Sequence, residues 1–502
     1  MIFINSSSRN ALKIFQPFLP IFVPIGIGYL MAVLERDGIK SICFDEQIDE
    51  NISEKIDDYV NTIEPPYIFG FSIITNTFKN ALSFSKELKI KYPDSYIVFG
   101  GIHPTAMPDE VMAYDHIDIV VRGESEDVIT ELFKCLKTRK EVSHILSVSY
   151  RKEGQIYHNP RSKGIENLDD LPSFPYERFL DKKYDFGFVA SSRGCPYDCF
   201  FCSNKINSQR KFRYRSAESV VKDLSLLYHK FNRKYVFFLD DNLTVNHTRI
   251  KELADAIKRS DIYKKMHFNF QARGDNCNEE VLQLLFDVGF KGVYFGIETA
   301  SEDLMRIVNK GETVGQVVNA ISIAKKIGYH VSGNFIFGLP GETHIDRINA
   351  IKLTKNLNLD LVKYNNIAPY PGTEIYDKAK KENRLNIIGL YENINSVSSF
   401  IEDPFNKVPF AYVPIGNTEK QIRFDIMLGY FNFYFNWKKL KGVFTKPDLN
   451  NAWFDFGHSF DDFIKKLPSI LLLLIILSIK FSSFLIKYPF SMLYYKNKSL
   501  KK

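Results

Sequence analysis

Short apolar runs alternate with helical patterns along most of this chain, and the alternation runs twice. Across residues 1–142, MIFINS, KSICFDE, YIFGFSII, YIVFGG and DIVVRGE read as strands. Between them GYLMAVLERDG, FKNALSFSKELKIKYP and EDVITELFKCLK read as helices; in the last, Val128, Ile129, Leu132, Phe133 and Leu136 recur at helical spacing. Strands that are almost wholly apolar are buried on both faces, so the pattern predicts a parallel sheet covered by helices above and below. Ligands of such sheets lie beyond the carboxyl ends of the strands, and those ends carry Gly70, Gly100, Gly101 and Gly123.

ILSVSY and QIYHN around Glu153-Gly154 predict a hairpin, followed by the proline-bearing stretch NLDDLPSFPYERF, so residues 143–184 form a hairpin and linker. The alternation then restarts over 185–390. FGFVASS, YVFFLDD, HFNFQAR, GVYFGIET, VSGNFIFGLP and LVKYNNIAPY are six strands, separated by amphipathic helices such as EEVLQLLFDVG and VGQVVNAISIAKKIG. Six successive units predict a partial (β/α)6 barrel of TIM type, with its chemistry at the carboxyl ends of the strands. Residues 391–502 lose the pattern and read as a mostly helical extension. The predicted fold class is therefore α/β, a Rossmann-like parallel-sheet domain followed by a partial barrel.

Six cysteines in 502 residues make no disulfide framework. The start MIFINSSSRN carries no basic n-region of a secretory leader, so the cysteines point to a reducing, cytoplasmic setting. The apolar stretch from Ile14 to Leu34 is broken by Pro17, Pro20 and Pro24 and reads as a loop followed by a buried helix. The net charge is +7, but residues 463–502 hold eight lysines and no acid, which leaves the body near neutrality and excludes nucleic-acid binding by charge. Within that tail, residues 467–486 (LPSILLLLIILSIKFSSFLI) are long enough to span a bilayer, to lie on one, or to pack against a domain. Lys480 near the middle disfavours a span, and the flanking lysines favour contact with an anionic membrane surface.

RGCPYDCFFC places Cys195, Cys199 and Cys202 at spacing C-x3-C-x2-C. Three thiolates with one vacancy suit a [4Fe-4S] cluster with one iron open to a further ligand. Structural zinc wants a fourth protein ligand, and Cys43, Cys135 and Cys277 are isolated in sequence.

C-x3-C-x2-C just after a first barrel strand, with Phe201 before the last cysteine, resembles radical S-adenosylmethionine (SAM) enzymes. The resemblance implies that the open iron chelates SAM, which one electron splits into methionine and a 5′-deoxyadenosyl radical. It also implies roles for the later strand ends: Asp240 and Asp241, Arg273, Glu298 and Gly338 of GLPGE become candidate SAM-binding residues, with PYPGT ending the sixth strand. Glu298 can accept hydrogen bonds from ribose hydroxyls or an ammonium group, and Arg273 can pair with a carboxylate. Each has a structural alternative: a helix cap for Asp241, an ion pair for Arg273.

PIGIGYLMAVLERDG, VFGGIHPTAMPDEV and DIVVRGESEDVITEL further resemble the subgroup with an N-terminal cobalamin-binding domain, and the likeness covers residues 1–390. The D-x-H-x-x-G string that ligates cobalt in many cobalamin proteins is missing. Cobalamin binding is then expected to rest on Gly100, Gly101 and Gly123, with His103 in the right loop. The resemblance implies a cobalamin-dependent methyltransferase acting on an unactivated carbon of a small-molecule or lipid-like substrate, with a one-electron donor such as flavodoxin or ferredoxin. Radical ring formation or rearrangement without methyl transfer shares the same parts. A methylthiotransferase would need three more cysteines before the barrel, where only Cys43 and Cys135 occur. A non-enzymatic corrinoid or cluster sensor is disfavoured by the full set of strand-end motifs.

Overall fold

The structure, a computed structural model, describes residues 1–7, 21–180, 184, 187–395 and 408–434, with scattered positions between 464 and 486. The first sheet contains β1 (Ile2–Asn5), β2 (Ile42–Asp45), β3 (Tyr67–Ser72), β4 (Ser95–Gly100), β5 (Ile119–Val121), β6 (Val148–Lys152) and β7 (Gln155–His158), in the order β2-β1-β3-β4-β5-β6-β7. The first five strands are parallel. The hairpin β6–β7 adds antiparallel to β5, so it belongs to this sheet; its turn residues Glu153 and Gly154 both have positive φ.

Strand parity divides the side chains between two cores. Phe3, Ile68 and Val98 face α1 (Ile25–Arg36) and α6 (Ile129–Lys137). Ile2, Ile4, Phe69, Phe71, Ile97 and Phe99 face α2 (Ile52–Val60) and α3 (Phe78–Lys91). That two-sided burial is why these strands are apolar at nearly every position. The proline-broken stretch after β1 leads into α1 as expected, though residues 8–20 lie outside the described residues. Sequence reading passed over α2, whose nine residues bury only Ile56 and Val60, and over two helices after β4, α4 (Ile102–Ala106) and α5 (Pro108–Met112), too short to show a period.

All six barrel strands form where the alternation put them: β8 (Gly187–Val189), β11 (Tyr235–Phe238), β12 (His267–Ala272), β13 (Phe290–Glu298), β14 (His330–Phe337) and β15 (Leu361–Asn366). They are parallel and in sequential order, an open arc of six strands. Helices α8 (Ala217–Phe231), α9 (His247–Arg259), α10 (Glu279–Asp287), α12 (Val314–Ile327) and α13 (His344–Asn356) line the outside. Shorter helices α7 (Asn204–Ser208), α11 (Glu302–Ile307) and α14 (Glu374–Lys381) follow β9 (Ser192–Arg193), β13 and β15. Each of the five outer helices starts from a side-chain cap, on Ser216, Asn246, Asn278, Thr313 and Thr343 respectively. A capped first turn also fixes the loop that arrives from the strand end. Asp241 is not one of these caps.

An arc has two open edges. At β15 the edge is covered by α15 (Glu419–Tyr434) in the C-terminal extension. The Tyr434 hydroxyl accepts from the Val362 N–H at 3.2 Å and donates to the Val362 carbonyl at 3.1 Å. One helical turn earlier, Tyr430 bonds the N–H and carbonyl of Tyr364 at 3.2 and 3.4 Å. Two phenols spaced i, i+4 thus take the place of a seventh strand on alternate residues. Each relieves about 1–3 kcal/mol of unpaired backbone. A buried ion cluster fixes the same helix: Arg347 bonds Glu342 at 3.0 Å and Asp425 of α15 at 2.6 Å, and burial pushes Glu342 up to about 7.

Half of the tail segment 467–486 lies outside the described residues. Among its described positions Leu471, Leu472, Ile475, Ile479 and Ile486 are exposed and Ile476 is buried. Among the described residues no helix is long and apolar enough to cross a membrane.

Candidate active site

The three cysteines lie on a loop with a closed neck. β9 (Ser192–Arg193) pairs antiparallel with β10 (Arg213–Tyr214), so residues 194–212 leave and return side by side. Gly194 begins the loop with φ +81, and a Cβ there would collide with the Lys211 carbonyl. Inside, the Cys202 N–H donates to the Cys199 carbonyl at 3.0 Å, and the Phe200 N–H donates to the Val308 carbonyl at 2.9 Å. Burial raises all three thiol pKa values, that of Cys202 to about 11. Bare thiols are thus unfavourable as anions here, and a cationic centre would reverse that balance.

Among the described residues no group of three or more His, Cys, Asp or Glu side chains stands ready to hold a single metal ion. Three soft donors on one closed loop fit an iron–sulfur cluster.

Around this loop stand some of the expected SAM residues. Asp241 opens onto the site, accepting from the Gly194 N–H and from Asn204; desolvation and the neighbouring Asp240 charge raise its pKa. Arg273 holds Asp275 through two bonds of 3.0 and 2.9 Å. Its remaining terminal nitrogen points to Cys199 Sγ at 3.8 Å, and the guanidinium lies 3.6 Å from the centre of the Tyr197 ring. Glu298 ends β13 with φ 61, a left-handed conformation that a non-glycine residue adopts only under constraint. Lys310 supplies the constraint, bonding Glu298 at 2.7 Å and lying 3.5 Å from Glu312, all three nearly inaccessible. Gly296 leaves the space, since a Cβ there would collide with the Glu298 carboxylate.

Two expected residues are placed elsewhere. Asp240 is fully buried, accepting from the Ser191 N–H at 3.2 Å and its hydroxyl at 2.7 Å, from the Ser192 hydroxyl, and pairing with Arg249 at 3.5 Å. It ties β11 to the entry of the cysteine loop. Gly338, with φ +87, donates its N–H to buried Glu342 and packs on Ile367 and Ile422, toward α15. Sequence reading missed Lys310, Glu312, Asp275 and Tyr197; the pair of glutamates flanking a lysine, in NKGET and GIET, was the available signal.

The carboxyl ends of the first sheet meet this loop. Thr105 joins the two glycine turns: its hydroxyl donates to the Gly101 carbonyl at 2.7 Å and accepts from the Gly123 N–H at 2.8 Å. Gly101 has φ +99 and a Cβ would stand 2.6 Å from the Ile73 carbonyl; Gly123 has φ +87 and faces the Arg161 guanidinium. Gly100 is less constrained, since a Cβ there would meet nothing closer than the Val121 carbonyl at 3.7 Å. His103 is buried 4.4 Å from the Phe78 ring and 5.0 Å from the Tyr391 ring, neither ring nitrogen has a partner, and burial lowers its pKa to about 4. Ser6, after β1, also buries a hydroxyl without a partner. Orphaned polar atoms on this edge fit a bound group with polar edges.

One salt-bridge set joins the two domains. Arg193 and Arg213, directly opposite in the loop's neck, would repel each other. Glu126 holds Arg193 at 2.7 Å, Glu124 grips Arg213 and lies 3.6 Å from Arg193, and the Tyr29 ring lies 4.8 Å from the Arg193 guanidinium. The cysteine loop is thus fastened to the loop after β5.

Residues 189–354 match the Radical SAM superfamily and residues 15–133 match the B12 binding domain. An uncharacterized methyltransferase of Pyrococcus horikoshii is 32% identical over 372 residues, 72% of this chain and 79% of that protein. This chain belongs to the radical SAM superfamily. The anaerobic magnesium-protoporphyrin IX monomethyl ester cyclase of Rubrivivax gelatinosus is 25% identical over 84% of this radical SAM chain and 76% of its own length. The cobalamin-dependent S-adenosylmethionine radical enzyme OxsB, solved with aqua-cobalamin and SAM bound, shares the fold at TM-score 0.66 and 17% identity, covering 90% of this chain and 70% of that one. A radical SAM enzyme with a B12 domain uses a [4Fe-4S] cluster, SAM and cobalamin.

Proposed function

We propose that this radical SAM enzyme methylates an unactivated carbon of a small molecule held at the barrel mouth. One observation carries the reading: the loop of Cys195, Cys199 and Cys202 is salt-bridged through Arg193 and Arg213 to the loop after β5 of the cobalamin domain, so both cofactors share one mouth. The methyltransferase name of the Pyrococcus relative supports methyl transfer. The cluster and cobalamin, when bound, supply an electron to SAM and a carrier for a methyl group.

The chain's own residues divide the remaining work. Cys195, Cys199 and Cys202 hold the cluster. Asp241, Arg273 and Glu298 orient SAM beside it, and Lys310 keeps Glu298 aimed. Gly338 and Asp240 act at a distance, through α15 and the loop entry. Gly100, Gly101 and Gly123 let backbone approach the corrin. His103, boxed by Phe78 and Tyr391, fits a hydrogen bond to cobalamin better than cobalt ligation. The working division is 1–142 for cobalamin, 143–184 as hairpin and linker, 185–390 for the barrel and 391–502 as closure, with a flavodoxin- or ferredoxin-type protein as electron donor. Ring closure is the second reading, favoured by the Rubrivivax cyclase relative.

The deciding experiment is anaerobic purification, reconstitution with iron, sulfide and hydroxocobalamin, and reaction with methyl-labelled SAM. About four irons and one cobalt per chain are expected, with label in an extracted product. A cluster without cobalt rules out methyl transfer by this route, and unlabelled product favours ring closure. The lysine-flanked tail is assigned contact with anionic membrane surfaces. Deleting residues 463–502 should release the protein from phosphatidylserine liposomes while SAM cleavage persists; unchanged liposome binding removes the assignment.

A further inference from the structure

The side of a barrel strand that faces the axis normally carries Val, Ile or Leu in packed layers. On β12 and β14 of this chain polar side chains take much of that place. A cavity of about 280 Å³ opens inside the arc, lined by Asn269, Gln271 and Asn334 together with Phe188, Phe237 and Tyr294. Strand register puts these on one face at three successive levels: Asn269 stands opposite Phe237 and Gly292, Gln271 opposite Tyr294, and Asn334 opposite Gly296. Ser332 and Asn365 share the inward parity of Asn334 and the cavity-lining Lys363.

Four of these side chains bury an oxygen with no hydrogen-bond partner: Asn269 Oδ1, Ser332 Oγ, Asn334 Oδ1 and Asn365 Oδ1. Folded proteins rarely leave such groups unpaired, and a cluster of them needs a reason. Space has been left for one of them as well, since a Cβ at Gly292 would collide with Asn269 Oδ1. The alternating outward residues, Phe268, Phe270 and Phe335, are fully buried apolar side chains, so polarity is confined to the lumen. Breaking the hydrophobic pattern on one face alone marks a functional surface.

We propose that the barrel lumen binds a compact, ring-bearing substrate through hydroxyl or N–H donors that meet these buried oxygens, and selects against alkyl-chain lipids. The assignment rests on the lumen being the substrate site of the proposed reaction. A molecule that displaces water from such oxygens must replace the hydrogen bonds that water would make. A hydrocarbon cannot, whereas a hydroxyl both donates and accepts. Sites built around hydrogen bonds reject isosteres that lack the polar group far more strongly than apolar pockets reject an added hydroxyl. The aromatic walls supply the apolar contact for a flat ring.

The test is equilibrium dialysis of the full chain, loaded with cluster and cobalamin, against 1-naphthol, its isostere 1-methylnaphthalene, and dodecanoate. The 1-naphthol affinity should exceed that of 1-methylnaphthalene by roughly tenfold or more, with dodecanoate weaker than either. Asn334→Leu and Asn269→Leu should bring the naphthalene ratio toward one, with the unfolding midpoint reporting intact folding. Equal affinities, no binding of either naphthalene, tighter dodecanoate binding, or a ratio unchanged by both substitutions overturns the assignment. SAM cleavage measured on the same preparation reports separately on the radical reaction, so failure of one is distinguishable from failure of the other.

Discussion

Cys199→Ala is expected to remove bound iron and all 5′-deoxyadenosine formation while leaving the protein folded. The loop's shape does not depend on that thiol. Its neck is closed by the β9–β10 pair, Gly194 supplies the turn, and Glu124 and Glu126 fasten the two neck arginines from the other domain. A cluster held by Cys195, Cys199 and Cys202 would, by contrast, lose one of its three protein ligands. Iron and sulfide analysis after anaerobic reconstitution checks the first expectation, and chromatography of the SAM reaction the second. Wild-type iron content in the variant would mean that the loop holds something other than a three-cysteine cluster.

Lys310→Met should be the most damaging substitution outside the cysteines. Lys310 is the cation of a nearly inaccessible group, 2.7 Å from Glu298 and 3.5 Å from Glu312. Removing it strands the Glu298 carboxylate without its partner and weakens the balance at Glu312; breaking a buried pair from one side costs about 3–5 kcal/mol. Glu298 is also held at φ 61, so losing the partner should release the backbone that aims it. Urea denaturation of the apo-protein should show the loss, and SAM affinity of the reconstituted variant should fall with it. The double variant Glu298→Gln with Lys310→Met should regain most of the stability, because Glu298 no longer leaves an unpaired charge, yet still bind SAM poorly. If Lys310→Met alone matches wild type in both measurements, the pair is only a surface-like contact and the account of Glu298 fails.

The cysteine triad was legible because its meaning lies in spacing along a single loop. The six barrel strands were legible for a similar reason, since strand–helix alternation is local and each outer helix announces its start with a capping residue. Asp240 and Gly338 show where that kind of reading ends. Both sit at the carboxyl ends of strands, as expected, but Asp240 turns inward to Ser191, Ser192 and Arg249, and Gly338 turns toward Glu342 and α15. A strand end fixes a residue's height on the barrel and leaves its direction to packing.

Residues far apart in the chain made the remaining differences. Tyr430 and Tyr434 look like ordinary aromatic positions of a C-terminal helix until they are seen bonding alternate backbone groups of β15. The hairpin β6–β7 reads as part of a linker, yet it extends the first sheet by pairing with β5. Glu124 and Glu126 read as loop residues of one domain, and they neutralise two arginines of the other.

The sequence by itself determined the α/β class, the two successive domains, the six-strand arc and the cysteine triad, because each is written in short-range periodicity or spacing. Only the tertiary structure decided which strand-end side chains face the thiols, which polar residues line the lumen with unpaired oxygens, and how the cobalamin domain grips the cysteine loop. Those depend on burial and on charges meeting across long stretches of chain, where desolvation makes a correct partner worth far more than any local preference and an absent one correspondingly costly.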